Sequence, residues 1–156
     1  MSVQIIPFNP KYISDFRDLN IAWLEKYFYV EDKDKELLKD CEKSIIDKGG
    51  FIFFAKIDEK IVGCFSFIPI DNILFELGKM AVDPQYQGQK IGQTLMNFAI
   101  DFAKIKQWNK VVLYSSSKLP TALYIYKKYG FEHVELEKDL PYARSDVKME
   151  LNLPTP

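Results

Sequence analysis

A chain of 156 residues, 47% hydrophobic and 28% charged, has the size and balance of one soluble globular domain with a single core. Its 21 basic and 22 acidic residues leave a formal net charge of -1, which offers neither a basic footprint for nucleic acid nor an acidic disordered tail. Two cysteines (Cys41 and Cys64) exclude a disulfide scaffold, no apolar run is long enough to span a bilayer, and no charged-then-apolar leader opens the chain, so a cytoplasmic setting away from membranes is expected.

Residues 3–7 read as a first short strand. Residues 11–26 carry Ile13, Phe16, Leu19, Ile21, Trp23 and Leu24 at helical spacing, and the aromatic run 27–30 ends that helix. Residues 32–48 read as a second helix with Leu37, Leu38, Cys41, Ile45 and Ile46 inward, stopped by Gly49-Gly50. Strands 51–57 and 61–68 flank a tight hairpin at 58–60, and 73–82 is the next strand. Helix 91–106 is the clearest element, with Ile91, Leu95, Phe98, Ala99, Phe102 and Ala103 on one face. Strand 111–114, helix 119–129 closed by Gly130, and strands 131–136 and 146–151 complete the order βααβββαβαββ. With 12 Phe, 9 Tyr and 2 Trp, the aromatic residues are read as core filling, and Cys64, in an apolar run, as a small core residue. No repeat or linker divides the chain. One domain over 1–153 is expected, with 154–156 as a short tail.

The fold class is therefore α/β (α+β): a single mixed sheet of about seven strands with helices on both faces. Strand 73–82, helix 91–106 and strand 111–114 form a βαβ crossover and a parallel pair. Ligands of such sheets bind beyond the carboxyl ends of the strands, which singles out the loop 83–92. That loop opens onto a helix N-terminus, where unpartnered N–H groups and the helix dipole suit a phosphate or pyrophosphate.

Two stretches give this reading a family. Met80-Ala81-Val82-Asp83-Pro84-Gln85-Tyr86-Gln87-Gly88-Gln89-Lys90-Ile91-Gly92 resembles the strand and pyrophosphate loop of the GCN5-related N-acetyltransferase (GNAT) family, written Gln/Arg-x-x-Gly-x-Gly/Ala. Ala122-Leu123-Tyr124-Ile125-Tyr126-Lys127-Lys128-Tyr129-Gly130-Phe131 is similar to that family's late helix. The element order matches over nearly the whole chain, as in a small single-domain bacterial-type member with the acyl-CoA N-acyltransferase fold. The resemblance implies acetyl-CoA as cosubstrate. The amides of Gln87, Gly88, Gln89, Lys90, Ile91 and Gly92, with Gln93 and the Thr94 hydroxyl, would hold its pyrophosphate. Met80, Ala81 and Val82 would pair with the pantetheine arm, the Val82 N–H donating to the thioester oxygen. Ser116 and Ala122 join the implied cofactor set, although Ser116 also reads as a turn or cap residue. Lys90 stands where the family has Gly. Ordinary backbone angles are expected there, with the ammonium either on a phosphate or in solvent.

Acetylating an amine requires a base for the amine, donors for the developing oxyanion and a proton for the leaving thiolate. Glu76 is the expected base, since it lies on the strand that would carry the thioester, and strict alternation would put Glu76, Gly78, Met80 and Val82 on one side. Apolar neighbours would raise its pKa. Tyr126, at the Tyr position of the late helix, is the expected acid. From the residues alone, Glu76 also reads as a solvated strand residue and Tyr126 as a half-buried helical tyrosine. The resemblance implies that the first helix-loop-helix covers the acceptor cleft, which would bring Trp23, Phe28 and Glu31 to the amine; Tyr142 and Arg144 would reach it from the loop before the last strand, the Arg144 guanidinium pairing with an acceptor carboxylate, although each of these residues alone also reads as core or solvated surface. His133 has no partners at ligand spacing, so no metal is expected. The implied activity is direct transfer of an acetyl group to a primary amine through a ternary complex, by a monomer or homodimer. A non-catalytic acyl-CoA sensor or scaffold on the same fold is the alternative. A nucleotide-binding P-loop lacks its Gly-Lys-Ser/Thr here.

Overall fold

The computed structural model describes residues 2–140 and 142–154. Thr155 and Pro156, most of the expected tail, lie outside the described residues. The elements run β1 (Gln4–Pro7), α1 (Ile13–Tyr27), α2 (Asp32–Lys39), β2 (Phe51–Ile57), β3 (Lys60–Pro69), β4 (Phe75–Val82), α3 (Ile91–Ile105), β5 (Lys110–Ser115), α4 (Pro120–Lys128), β6 (Glu132–Val134) and β7 (Val147–Asn152). The expected order βααβββαβαββ is the observed one. The strands form one seven-stranded sheet, ordered β1-β2-β3-β4-β5-β7-β6. Among the described residues only β4 and β5 pair in parallel, as the crossover through α3 requires.

Both faces of the sheet are covered. Along β2, Phe53, Ala55 and Ile57 join the core beneath α3, while Ile52 and Phe54 join the core beneath α1 and α2. This is why β2 reads as an unbroken apolar run rather than an alternating one. Helix α3 buries Ile91, Leu95, Met96, Ala99 and Ala103, with Phe98 and Phe102 flanking them. Much of the aromatic content sits here: Trp108 stacks on Phe75 with ring centroids 4.1 Å apart, and Phe51, Phe67 and Phe102 close around it. Cys64 is fully buried between the sheet and α1, where its sulfur receives the Asn20 amide at 3.5 Å.

Three expectations need correction. The helix expected over 32–48 ends at Lys39. Asp40 leaves helical space at φ -148° and ψ 88°, its carboxylate accepts the Lys43 N–H, and the chain re-coils as a π-helical turn, Glu42–Ile46. Leu38, Cys41 and Ile45 stay buried, so the apolar pattern survives a break that a local polar side chain makes. The strand expected from residue 73 starts at Phe75, because the Asp71 carboxylate accepts the N–H groups of Ile73 and Leu74 at 2.8 Å and turns the chain there.

The third correction matters most. Strict alternation along β4 fails. Ser66 pairs with Gly78 and Cys64 with Ala81, leaving Lys79 and Met80 together opposite Phe65. This is a β-bulge, with Lys79 at φ 53°. Glu76 and Gly78 consequently share the α1–α2 side with Ala81, while Met80 and Val82 pack against the α3 core.

Candidate functional site

Strands β4 and β5 are paired only at Phe75–Val111 and Glu76–Val112. From Leu77 onward the β5-facing edge of β4 has no ladder partner among the described residues, and a cleft of about 770 Å³ opens in the gap. The Asp83 N–H donates to the Val62 carbonyl at 2.8 Å. Antiparallel ladders alternate the direction of successive N–H groups, so the Val82 N–H points away from β3 and into this gap.

One end of the cleft is a cradle of amides. The Asp83 carboxylate accepts the Gln85 N–H at 2.9 Å and starts a 3-10 turn, Pro84–Tyr86. Beyond it, the N–H groups of Gly88 to Gln93 make no hydrogen bond among the described residues; the next N–H, of Thr94, closes the first helical bond, to the Lys90 carbonyl at 3.0 Å. Six such donors at the N-terminus of a 15-residue helix suit an anion. The expectation of ordinary angles at Lys90 is overturned: Lys90 caps α3 at φ 63° and ψ 24°, in the left-handed region, and Gly88 sits at φ 86°. The chain must reverse here to turn its amides one way, and it does so through Lys90 at a strain of about 1 kcal/mol. The Lys90 side chain is exposed and lines the cleft mouth.

Glu76 lies at the other end, where β4 and β5 part. It faces the cleft, and no hydrogen bond or ion pair satisfies its carboxyl among the described residues. Burial pushes that carboxyl up to about 7, against the pull of Lys79 and Arg144 and with the push of Glu137. Tyr126 also lines the cleft; burial raises its pKa, and its ring packs edge-on against Phe131 with centroids 6.1 Å apart. Tyr114 stands two residues beyond the register partner of Glu76, on the same face of the sheet, and donates to Glu137 at 2.8 Å.

The wall facing α1 and α2 is part aromatic and part ionic. Trp23 packs on Phe28 and Tyr27, at centroid distances of 5.8 Å and 5.3 Å. Deeper in, the fully buried Asp34 accepts Arg144 through both oxygens at 2.8 Å and Lys79 at 2.6 Å. Glu31 caps α2 together with Asp34, and also accepts Arg144 at 3.0 Å and the Ala143 N–H at 2.9 Å. The Tyr142 ring lies 4.3 Å from Arg144 and 4.7 Å from Lys79. Burial disfavours a charged Asp34, yet the bonds from Arg144 and Lys79 outweigh it and hold the carboxyl below its usual range. Burial pulls the Lys79 ammonium down, with Asp34 opposing it. Arg144, expected to meet an acceptor carboxylate, is thus already engaged by two carboxylates of its own chain.

Most of the expected site residues converge on the cleft: Glu76, Tyr126, Met80, Ala81, Val82, Gln87, Gly88, Lys90, Ile91, Gly92, Gln93, Ser116, Ala122, Trp23, Phe28, Tyr142 and Arg144 all line it. Gln89, Thr94 and Glu31 do not. The Thr94 hydroxyl is bonded back to the Lys90 carbonyl at 3.0 Å. Ser116 is buried and accepts the Lys118 N–H at 3.1 Å, which makes it a turn residue as well as a lining one. Sequence reasoning missed Asp34 and Lys79. A lysine amid apolar β4 residues was the available signal, but its partner lies 45 positions away.

A family model described as the acetyltransferase (GNAT) domain matches residues 48–133. Human N-acetyltransferase 8B is 28% identical over 110 residues, covering 67% of this chain and 48% of its own length. The chain spans about half the length of the curated relatives it matches. Among solved structures, a GNAT-family acetyltransferase of Staphylococcus aureus superposes with a TM-score of 0.85 at 24% identity, over 98% of this chain and 100% of the other. The paia N-acetyltransferase of Thermoplasma acidophilum, solved in complex with coenzyme A, superposes with a TM-score of 0.77 at 20% identity, over 98% and 100%. With the family domain matched across more than half its residues and this fold around it, the chain belongs to the GNAT acetyltransferase family.

Proposed function

We propose that this protein is an acetyl-CoA-dependent N-acetyltransferase that passes an acetyl group directly to a primary amine within a ternary complex. The observation that carries this reading is one cleft lined by three things: six amides at a helix N-terminus and a carboxyl raised to about 7, all without a partner among the described residues, and the tyrosine Tyr126. A pyrophosphate fits the amide cradle, and an amide-bearing arm fits the open edge of β4 as an added strand. The bound cosubstrate supplies an activated acyl group on a thiol leaving group.

The chain's own residues do the rest. The amides of Gly88 to Gln93 hold the diphosphate. The Val82 N–H, aimed into the gap, donates to the acyl oxygen as negative charge develops there. Glu76 takes the proton that the amine must lose; a carboxyl near 7 is matched to an ammonium far better than an ordinary glutamate. The Tyr126 hydroxyl donates the proton that the departing sulfur takes up. No Gly-x-Ser-x-Gly or Cys/His pair supports a covalent enzyme intermediate, and Cys64, pushed by burial to about 12, is no nucleophile.

Thermal denaturation with acetyl-CoA, against ATP as control, tests the cofactor half of this reading. A ligand present at about a hundred times its Kd stabilises the fold by roughly 2.7 kcal/mol. The expected result is a rise in Tm with acetyl-CoA and none with ATP. A rise with neither, or with ATP alone, contradicts it.

A further inference from the structure

Resting on the acetyltransferase reading, we infer that the acceptor is a monoamine with an apolar, aromatic body and neither a carboxylate nor a second cationic group. Three features of the acceptor end of the cleft carry this.

The first is the state of its anions. Besides Glu76, the carboxylates here are Asp34, Glu31 and Glu137, the last with one oxygen on the Tyr114 hydroxyl and the other on the Lys148 ammonium. Asp34 is fully buried, with both oxygens on Arg144, and Lys79 also on Oδ1. Glu31 spends Oε1 on the Ala143 N–H and Oε2 on Arg144. Among the described residues that line the cleft, Glu76 is the single acidic side chain. It accommodates one amine, and a second ammonium on the acceptor would enter without a counter-charge.

The second is the state of its cations. Both terminal nitrogens of Arg144 are engaged by Asp34 and Glu31, and the Lys79 ammonium is held by Asp34. An acceptor carboxylate would meet two cations whose charge Asp34 and Glu31 already balance, with the Glu76 carboxyl facing the same cleft. Lys33 lies at the rim, but it is half exposed to water and lies 3.7 Å from Glu36, a geometry of little energetic worth.

The third is the wall itself. Trp23, Phe28, Leu37 and Ile68 line the cleft as apolar side chains, the Trp23 and Phe28 rings packed together with centroids 5.8 Å apart. Such a surface rewards burial of a flat apolar body and offers nothing to a hydrated backbone. The site selects by charge exclusion as much as by attraction.

The experiment is a thiol-release assay with acetyl-CoA and four acceptors: 2-phenylethylamine, phenylalanine, spermidine and an Nα-acetyl-lysine amide. The expected kcat/KM for 2-phenylethylamine exceeds each of the others by at least about tenfold, and Trp23→Ala raises its KM by a similar factor while kcat moves by less than about twofold. The acetyl-CoA-induced rise in Tm is kept in Trp23→Ala, which separates a lost acceptor wall from a lost fold. Equal or faster turnover of phenylalanine, spermidine or the lysine amide overturns the inference and leaves the acetyltransferase reading intact. Absence of thiol release with all four overturns both.

Discussion

Glu76 is a carboxyl held between opposed forces. Burial favours the neutral acid, while Lys79 and Arg144 favour the anion, and burial prevails by lifting the pKa from 4.5 to about 7. A raised acid binds its proton more tightly folded than unfolded. Its stabilising contribution is complete below pH 4.5 and is lost as pH climbs to about 7. Glu76→Gln removes that dependence. The variant should match the parent's stability near pH 4.5 and exceed it above pH 7, by at most about 3 kcal/mol, as read by denaturant unfolding at the two pH values. A difference independent of pH would show that Glu76 is not held neutral by burial. This residue was legible in the sequence, as a lone acid on an apolar strand. Lys79 was not, because a strictly alternating β4 leaves its side chain no route to Asp34; the bulge supplies that route.

At the scale of elements, the loop before α3 shows geometry overriding residue preference. Lys90 occupies a left-handed cap where glycine would sit without strain, and the helix N-terminus needs that turn whatever the side chain. Lys90→Gly should therefore raise stability by up to about 1 kcal/mol, with acetyl-CoA affinity within about threefold of the parent, measured by thermal denaturation and calorimetry. A loss of stability would mean that the cap is not strained. A tenfold loss of affinity would place the ammonium on a phosphate. The order of elements was readable from apolar period and turn residues, since both are local. The failures share a cause: the Asp40 break, the Asp71 turn and the β4 bulge depend on a side chain capturing a nearby backbone group, or on pairing with β3.

At the scale of the molecule, the Asp34 cluster ties together parts of the chain far apart in sequence. Arg144 reaches Asp34 and Glu31 across 110 and 113 positions, joining the loop before β7 to the start of α2, and Lys79 brings in β4. Buried ion clusters add little net stability when whole, and cost heavily when one partner is removed. Arg144→Ala should destabilise by roughly 3 kcal/mol, by leaving Asp34 and Glu31 to share the single ammonium of Lys79. Arg144→Ala with Glu31→Gln should recover part of that loss, since Asp34 and Lys79 then remain as a balanced pair. A single variant as stable as the parent would contradict the clasp. This network lies on the side of the cleft that faces α1 and α2, and it could not be read from sequence, because no period or motif connects residues so distant. The amide cradle at the other end could be read, because a strand, a loop and a helix N-terminus lie consecutively in the chain.

The central claim is that one cleft binds acetyl-CoA and uses the Glu76 carboxyl to take a proton from an amine. Its most direct test is the pH dependence of acetyl transfer, followed as thiol release, in the parent and in Glu76→Gln. The account predicts that kcat in the parent rises with pH through an apparent pKa of about 7, and that Glu76→Gln lowers kcat by roughly 10²–10⁴-fold and abolishes that limb. A Glu76→Gln enzyme with the parent's rate and the parent's pH profile would contradict it.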